Sequence, residues 1–428
     1  MLFRSCTTQD PGTGGQSASC FWSYNHFLAA GGLPSNPTTI TDPAIARGAT
    51  GGYIPNQKLP YTETFNIGIQ HIFANKYTVD VRFVHTRGIH LPVQDQLNKT
   101  SVVTADNSLP TFFTAPSQAT LDALPLTLSG LKANNSAYLQ DWYNAGFKGS
   151  VTSYQPFGGS KYNGLQTQLS RNFTNGLQFQ LAWTWSHATD NSTAEVFSTV
   201  LTPRRPQNSQ CLACDWSTSA YDRRHRVTLQ AMYDVPFYKS SSNWMMKNVV
   251  GNWEIAPIYT FQSPEYATCQ SGVDANLNGD SAPDRCLYNP AGTTNTSSKV
   301  TALHNSDGGT VAYLVNNPTA QYIQAGAGVF ATTPRNTLAA PHINNVDLTF
   351  LKRLNITERQ AIEFQFQATN IFNHAQYVPG YISDVAPLGY TGGNVRSVLL
   401  AGDPSFNNWA SAFSNHPRNL VLVLKYSF

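Results

Sequence analysis

The segment Asp274-Ala-Asn-Leu-Asn-Gly-Asp280 places a side-chain oxygen at every second residue. Calcium loops use that spacing, with ligands at positions 1, 3 and 5 and a glycine at position 6 for the sharp turn. Asp274, Asn276 and Asn278 fill the ligand positions and Gly279 the turn. The twelfth position, where a bidentate Glu belongs, is Arg285, so Asp280 and Asp284 would have to supply the missing carboxylates. The alternative is a polar turn without metal, because Asn, Asp and Gly favour turns on their own. Cys269 and Cys286 flank the segment. A disulfide closing a loop of this size stabilises by roughly 3 kcal/mol.

The six cysteines fall into near neighbours: Cys6 with Cys20, Cys211 with Cys214, and Cys269 with Cys286. An even number and local pairing fit disulfides in an oxidising compartment. Cys211-Leu-Ala-Cys214 also has the spacing of a redox pair or a zinc half-site, but no second Cys-x-x-Cys completes it. Asp222-Arg-Arg-His-Arg226 is the other concentration of chemistry. It would either grip an anionic substrate or fix a loop to its scaffold through ion pairs, and the second reading is favoured. The sequence contains no Gly-x-Ser-x-Gly, no His-Glu-x-x-His and no phosphate-binding glycine loop, so no enzyme is expected. A net charge of +3 is too small to suggest a nucleic-acid partner.

The elements that must position these groups are strands. Only 12% of residues are charged, about half the share of an ordinary soluble chain, while aromatics also reach 12%. Disordered chains have the opposite bias. No apolar run is long enough for a membrane-spanning helix. Period-two alternation recurs nine times. The clearest instance sets Leu420, Leu422, Leu424, Tyr426 and Phe428 against Asn419, Val421, Val423, Lys425 and Ser427. Ile362, Phe364, Phe366 and Ala368 oppose Glu363, Gln365, Gln367 and Thr369, and Val346, Leu348 and Phe350 oppose Asn345, Asp347 and Thr349. Leu177 to Trp185 and Val227 to Val235 alternate in the same way. Weaker strands hold Phe65, Ile67 and Ile69, then Val79, Val81 and Phe83, then Leu165 and Leu169, then Trp253, Ile255, Tyr259 and Phe261. Pro257 lies within the last of these, which predicts a bulge or an early end there.

None of these apolar sets contains a charged residue. The opposite sets are rich in Gln, Thr, Asn and Ser, which suit a wet lumen better than a dry core. Connections alternate between short ones, near 73–75, 172–176, 237–247 and 355–357, and long ones over 88–160, 189–222, 265–340 and 374–416. Such long loops count against a compact soluble domain, whereas outer-membrane barrels have short periplasmic turns and long extracellular loops. The predicted fold class is therefore all-β: an antiparallel transmembrane β-barrel portion of about nine strands, an incomplete barrel with long extracellular loops. Residues 1–60 form an extracellular loop segment in this reading and 61–428 the barrel portion. With the carboxy terminus periplasmic, all six cysteines fall outside. Trp183, Trp185, Trp253, Tyr259 and Phe261 are assigned to the extracellular girdle, and Tyr426 and Phe428 to the periplasmic one. Nine is odd, whereas bacterial single-chain barrels have even strand numbers. The amino terminus lacks an apolar export segment, so a fragment or a gene lacking its front is expected.

Several stretches resemble a known family. The ending Leu424-Lys-Tyr-Ser-Phe428, with Tyr426 and Phe428, resembles the signal read by the barrel-assembly machinery. Tyr61-Thr-Glu-Thr-Phe-Asn-Ile-Gly-Ile-Gln70, His85-Thr-Arg-Gly-Ile-His-Leu-Pro92, Tyr162-Asn-Gly-Leu-Gln166, Asp222-Arg-Arg-His-Arg226 and Ala368-Thr-Asn-Ile-Phe-Asn-His374 are similar to stretches of TonB-dependent outer-membrane receptors of the Oar-like kind. The resemblance implies a barrel of about 22 strands around an amino-terminal plug. It also implies uptake of an unknown nutrient ligand driven through TonB, with outer-membrane lipids as surroundings. No plug or TonB-contacting box is found in this sequence. TonB would be reached only through an amino-terminal part, and the chain would be the last nine strands. No cofactor is expected besides the calcium considered above. The rival readings are a porin-like channel or adhesin, and a secreted calcium-stabilised β-sandwich.

Overall fold

A computed structural model describes residues 42–48, 50–52, 57–133, 136–192, 205–357, 359–377, 395–411 and 416–428. The Cys6–Cys20 pair lies outside the described residues. The chain divides into two compact units, Met1–Thr50 and Gly51–Phe428. In the first, the described residues include a short helix, Pro43–Gly48.

The second unit is built on nine strands joined in one antiparallel sheet in chain order. They are β1 (Tyr61–Phe73), β2 (Tyr77–Gln96), β3 (Thr152–Thr174), β4 (Leu177–Asp190), β5 (His225–Asp234), β6 (Trp253–Gln262), β7 (Ile343–Asn355), β8 (Ala361–Thr369) and β9 (Asn419–Ser427). The sheet does not close, because β1 and β9 each pair on one side only. Register follows the alternation. Val79 faces Leu169, Leu169 faces Leu181, Leu181 faces Leu229, Leu229 faces Tyr259, and Tyr259 faces Val346. Further along, Ile255 faces Phe350, Phe350 faces Phe366, and Phe366 faces Leu422. Opposed residues in a ladder share a face, so one apolar surface runs around the wall. A one-residue slip in any strand would break that row by turning its apolar set inward. Tight turns at the periplasmic end lock the register: Ala74 and Asn75 after β1, and Asn175 and Gly176 between β3 and β4, all have positive φ. Positive φ at both central residues matches the twist of the flanking strands, and Asn-Gly adopts it readily.

Four details differ from the sequence reading. β2 and β3 continue past residues 88 and 160 as a tall hairpin, so the first long connection is confined to 97–151. Register shifts between Ile89 and Val93, with His90 at φ 57°, carry the hairpin over the rim as bulges. The strands also reach far enough to bring charge onto the apolar face at its two ends: Arg87 and Lys161 above, Arg171 and Lys352 below. Pro257 causes neither a bulge nor an end. β6 keeps one register on both sides, and only the ladder contacts at Pro257 and Ala256 toward β5 are missing, because proline has no N–H to give. Trp253 begins β6 and therefore lies at the periplasmic end, opposite Lys352, instead of in the extracellular girdle. An aromatic residue suits either girdle, so the direction of β6 and not its composition places Trp253.

The long connections are not structureless. Val300–His304, Thr310–Val315 and Thr111–Phe112 form a small sheet, and Leu287–Tyr288, Ala320–Ile323 and Thr293–Ser298 form another. Among the described residues, the buried apolar clusters lie here and not in the wall. One gathers Ala267, Tyr322, Leu338, Val398, Leu399 and Trp409 around the Cys269–Cys286 disulfide. A second gathers Val103, Leu109, Leu131, Leu277, Tyr313 and Val329. The loops thus make a packed extracellular cap.

Candidate functional site

The inner face of the wall is mostly polar, with Met232, Ile258, Leu351, Val421 and Val423 interspersed. Gln168, Ser170, Asn172, Gln178, Gln180 and Gln230 help to line a cleft of about 490 Å³. Gln230 Nε2 donates to Gln180 Oε1 at 3.1 Å. Amide side chains both donate and accept, and they share the cleft with Arg171 and the apolar Met232 and Ile258. A lower cleft of about 350 Å³ is charged, with Asp234, Glu254 and Glu363 beside Lys239 and Arg353.

Above the inner face, the cap is tied to the wall by buried charge. Arg335, with 4% of its side chain exposed, donates to Asp190 Oδ1 at 2.7 Å and to the Asp215 carbonyl at 2.9 Å. Arg285 pairs with Asp215 at 2.9 Å and donates to Gln207 Oε1. Arg223 pairs with Glu265. Burial pulls Arg335 below its ordinary pKa, and Asp190 and Asp215 oppose that shift. Sequence reading missed this network. Asp190, Asp215 and Arg335 carry no local motif and are isolated charges in a weakly charged chain, while Arg285 is visible only as the residue that breaks the calcium-loop pattern.

Asp222-Arg-Arg-His-Arg226 is engaged by the wall. Asp222 is fully buried and accepts the Ala188 N–H at 2.6 Å. Ser186 donates its N–H to the Arg224 carbonyl at 3.0 Å and its hydroxyl to the Arg223 carbonyl at 2.9 Å. His225 stacks on Trp183 at 6.1 Å between centroids. These contacts fix the top of β5, while the Arg226 side chain stays exposed.

In the 274–284 loop, each candidate ligand accepts at least one hydrogen bond, while Asp284 Oδ1 is buried without one. Asp274 accepts the N–H groups of Asn278 at 3.0 Å and Gly279 at 2.8 Å. Asn276 accepts from Asn278 at 3.0 Å, and Asn278 from Asp280 at 2.8 Å. Asp280 holds Arg205 by both oxygens and accepts from Gln96 at 3.2 Å. Asp284 is buried and accepts the Ala275 N–H at 2.7 Å. Burial, with Asp274 and Asp280 nearby, holds its carboxyl well above the usual range. Among the described residues no three His, Cys, Asp or Glu side chains converge closely enough to hold a metal ion. Calcium here would have to displace Arg205 from Asp280. Cys211–Cys214 and Cys269–Cys286 are disulfide-bonded, with Cα–Cα distances of 5.3 and 5.7 Å. Tyr426 and Phe428 lie exposed at the lower end of the closing strand, stacked at 5.7 Å.

The sequence profile of the outer membrane beta barrel domain matches residues 5–396. The chain belongs to that family. No curated protein sequence matches it. Among solved structures it is similar to the outer membrane transporter YddB from Escherichia coli, at 8% identity and a TM-score of 0.38, over 87% of this chain and 33% of that one. It is also similar to the pyoverdine outer membrane receptor FpvA from Pseudomonas aeruginosa PAO1, at 11% identity and a TM-score of 0.36, over 86% and 30% of the two chains. A third is the ferric-catecholate import receptor Fiu from K12 E. coli, at 9% identity and a TM-score of 0.37, over 89% and 30%. The chain spans about a third of the length of these proteins. Family, single apolar face and polar inner face agree: this is an outer-membrane β-barrel protein.

Proposed function

We propose that the chain is the carboxy-terminal barrel portion of a TonB-dependent receptor, and that residues 61–428 supply wall and cap for uptake of a nutrient ligand. The observation that carries this reading is the cap. A porin-like channel needs an open mouth, whereas here the loops pack on apolar clusters of their own and are held to the wall through Arg335, Asp190 and Asp215. A packed surface over a polar lumen is what a ligand-capturing receptor requires. The Oar-like stretches of β1, β2, β3, β5 and β8 support the same reading. Energy coupling would belong to a plug outside this sequence, and the barrel-assembly machinery would read Tyr426 and Phe428.

Planar-bilayer recording on the full gene product tests this. A receptor is electrically silent and is captured by the periplasmic domain of TonB. Steady stepwise conductance without TonB capture would establish the porin-like reading instead.

A further inference from the structure

On the outer, lipid-side face, the rows above the apolar band change character in order. Phe83, Leu165 and Trp185 end the band. The next row, two residues and about 7 Å higher along the strands, is His85, Asn163 and His187. The row above that is Arg87, Lys161 and Thr189. At this height a cavity of about 830 Å³ opens, lined by Lys58, Arg87, His90, Lys161, Phe157 and Trp216 among others. No carboxylate lines it. Glu63 stands across from Arg87 on β1, yet among the described residues none of Lys58, Arg87 and Lys161 makes an ion pair. Lys161 Nζ lies 5.5 Å from the Trp216 ring centre. Trp216 and Phe157 are 41% and 58% exposed. A Cβ added at Gly159 would meet Trp216 at 3.2 Å, so the glycine leaves room for that ring against the wall.

We propose that this cavity binds the phosphate-bearing headgroup of an outer-leaflet lipid. Arg87 and Lys161, one row above the polar edge of the membrane band, with Lys58 lining the same cavity, match a headgroup phosphate, and the exposed rings match the glycerol or sugar beneath it. The acyl chains would then run down over Phe83, Leu165 and Trp185. A soluble anionic nutrient is disfavoured by position, because the cavity opens on the outside of the wall and not on the lumen.

The test uses the full gene product in phosphatidylcholine nanodiscs with and without phosphatidic acid. Native mass spectrometry after detergent release counts retained lipid. Wild type should retain phosphatidic acid in preference to phosphatidylcholine. Removing a cation near an anionic surface costs about five-fold, so R87Q/K161Q should weaken retention roughly thirty-fold. Lys132→Gln, on the exposed surface of the cap, should leave it unchanged. Equal retention of the two lipids by wild type, or unchanged retention by the double variant, would overturn the proposal. Displacement by millimolar inorganic phosphate would also overturn it, by making this a soluble-anion site. The wild-type lipid comparison needs no variant, so a folding defect in R87Q/K161Q would not protect the idea.

Discussion

Leu422→Arg should destabilise the barrel far more than Val423→Arg, although the two sites are adjacent. Leu422 faces Phe366, which faces Phe350, which faces Ile255, so it belongs to the outward apolar row. It is 80% exposed in the absence of lipid. β9 has nine residues and Leu422 is the fourth. At about 3.3 Å per residue and a tilt near 45°, the strand rises roughly 20 Å, close to the apolar band of ~25 Å. Leu422 therefore sits within a few ångströms of the bilayer centre, where an arginine costs about 2–4 kcal/mol. Val423 opposes Gln365 and faces the polar interior, where a cation reaches water and costs no more than ~1 kcal/mol.

Placing the same side chain one residue apart cancels strand propensity and most unfolded-state effects. Urea titration of the full gene product folded into phosphatidylcholine vesicles gives both free energies, with tryptophan fluorescence as the probe. Heat-modified gel mobility checks that each variant folds. A cost for Val423→Arg equal to or above that for Leu422→Arg would refute the assignment of the two faces, and with it the membrane orientation of every strand paired in register with β9.

Other consequences concern the cap. Arg335→Met removes the buried guanidinium that donates to Asp190 Oδ1 and to the Asp215 carbonyl. It should cost about 3–5 kcal/mol, read as new protease cleavage within 263–340 while the wall keeps its heat-modified mobility. Replacing Cys269 and Cys286 by Ala removes a link across 17 residues and should lower cap stability by roughly 3 kcal/mol, against about 2 for the Cys211–Cys214 pair across 3 residues, by hydrogen exchange. Asp122 accepts from the Ser306 hydroxyl and N–H, both at 2.7 Å, and from Gln118 at 3.0 Å, and the Ser306 and Gln118 bonds hold its carboxyl below the usual value. Its contribution is present above the unfolded pKa of about 3.9 and is lost as pH falls through the lower folded value. Exchange at the Ser306 amide should therefore rise on strong acidification, and Asp122→Asn should abolish that step.

The nine wall strands were legible because a lipid-facing strand satisfies one local rule. Every second residue must be apolar, and turns such as Asn175-Gly176 show where the rule restarts. Their lengths were less legible. Above the rim, β2 leaves lipid and buries Val93, Gln94 and Asp95 against the cap, so the alternation stops reporting the strand while its backbone continues. Direction was lost where composition alone was used, as at Trp253. The aromatic is equally at home in either girdle, and only its pairing with Lys352 places it.

The cap follows a different logic, and this explains why its chemistry stayed hidden. Arg335 meets Asp190 across 145 residues and Arg205 meets Asp280 across 75. No periodicity encodes such pairs, because each depends on the wall first bringing the loop bases together. The Asp274–Asp280 motif shows the same dependence: its spacing alone admits a calcium loop, but the fold commits Asp280 to Arg205. The wall therefore sets a frame that the cap completes, and each layer has its own source of stability. Lipid and ladder hydrogen bonds hold the first, while apolar clusters, buried arginines and disulfides hold the second. A lesion confined to the cap should leave a folded barrel with an altered cap, whereas a charge placed on the lipid face should remove both.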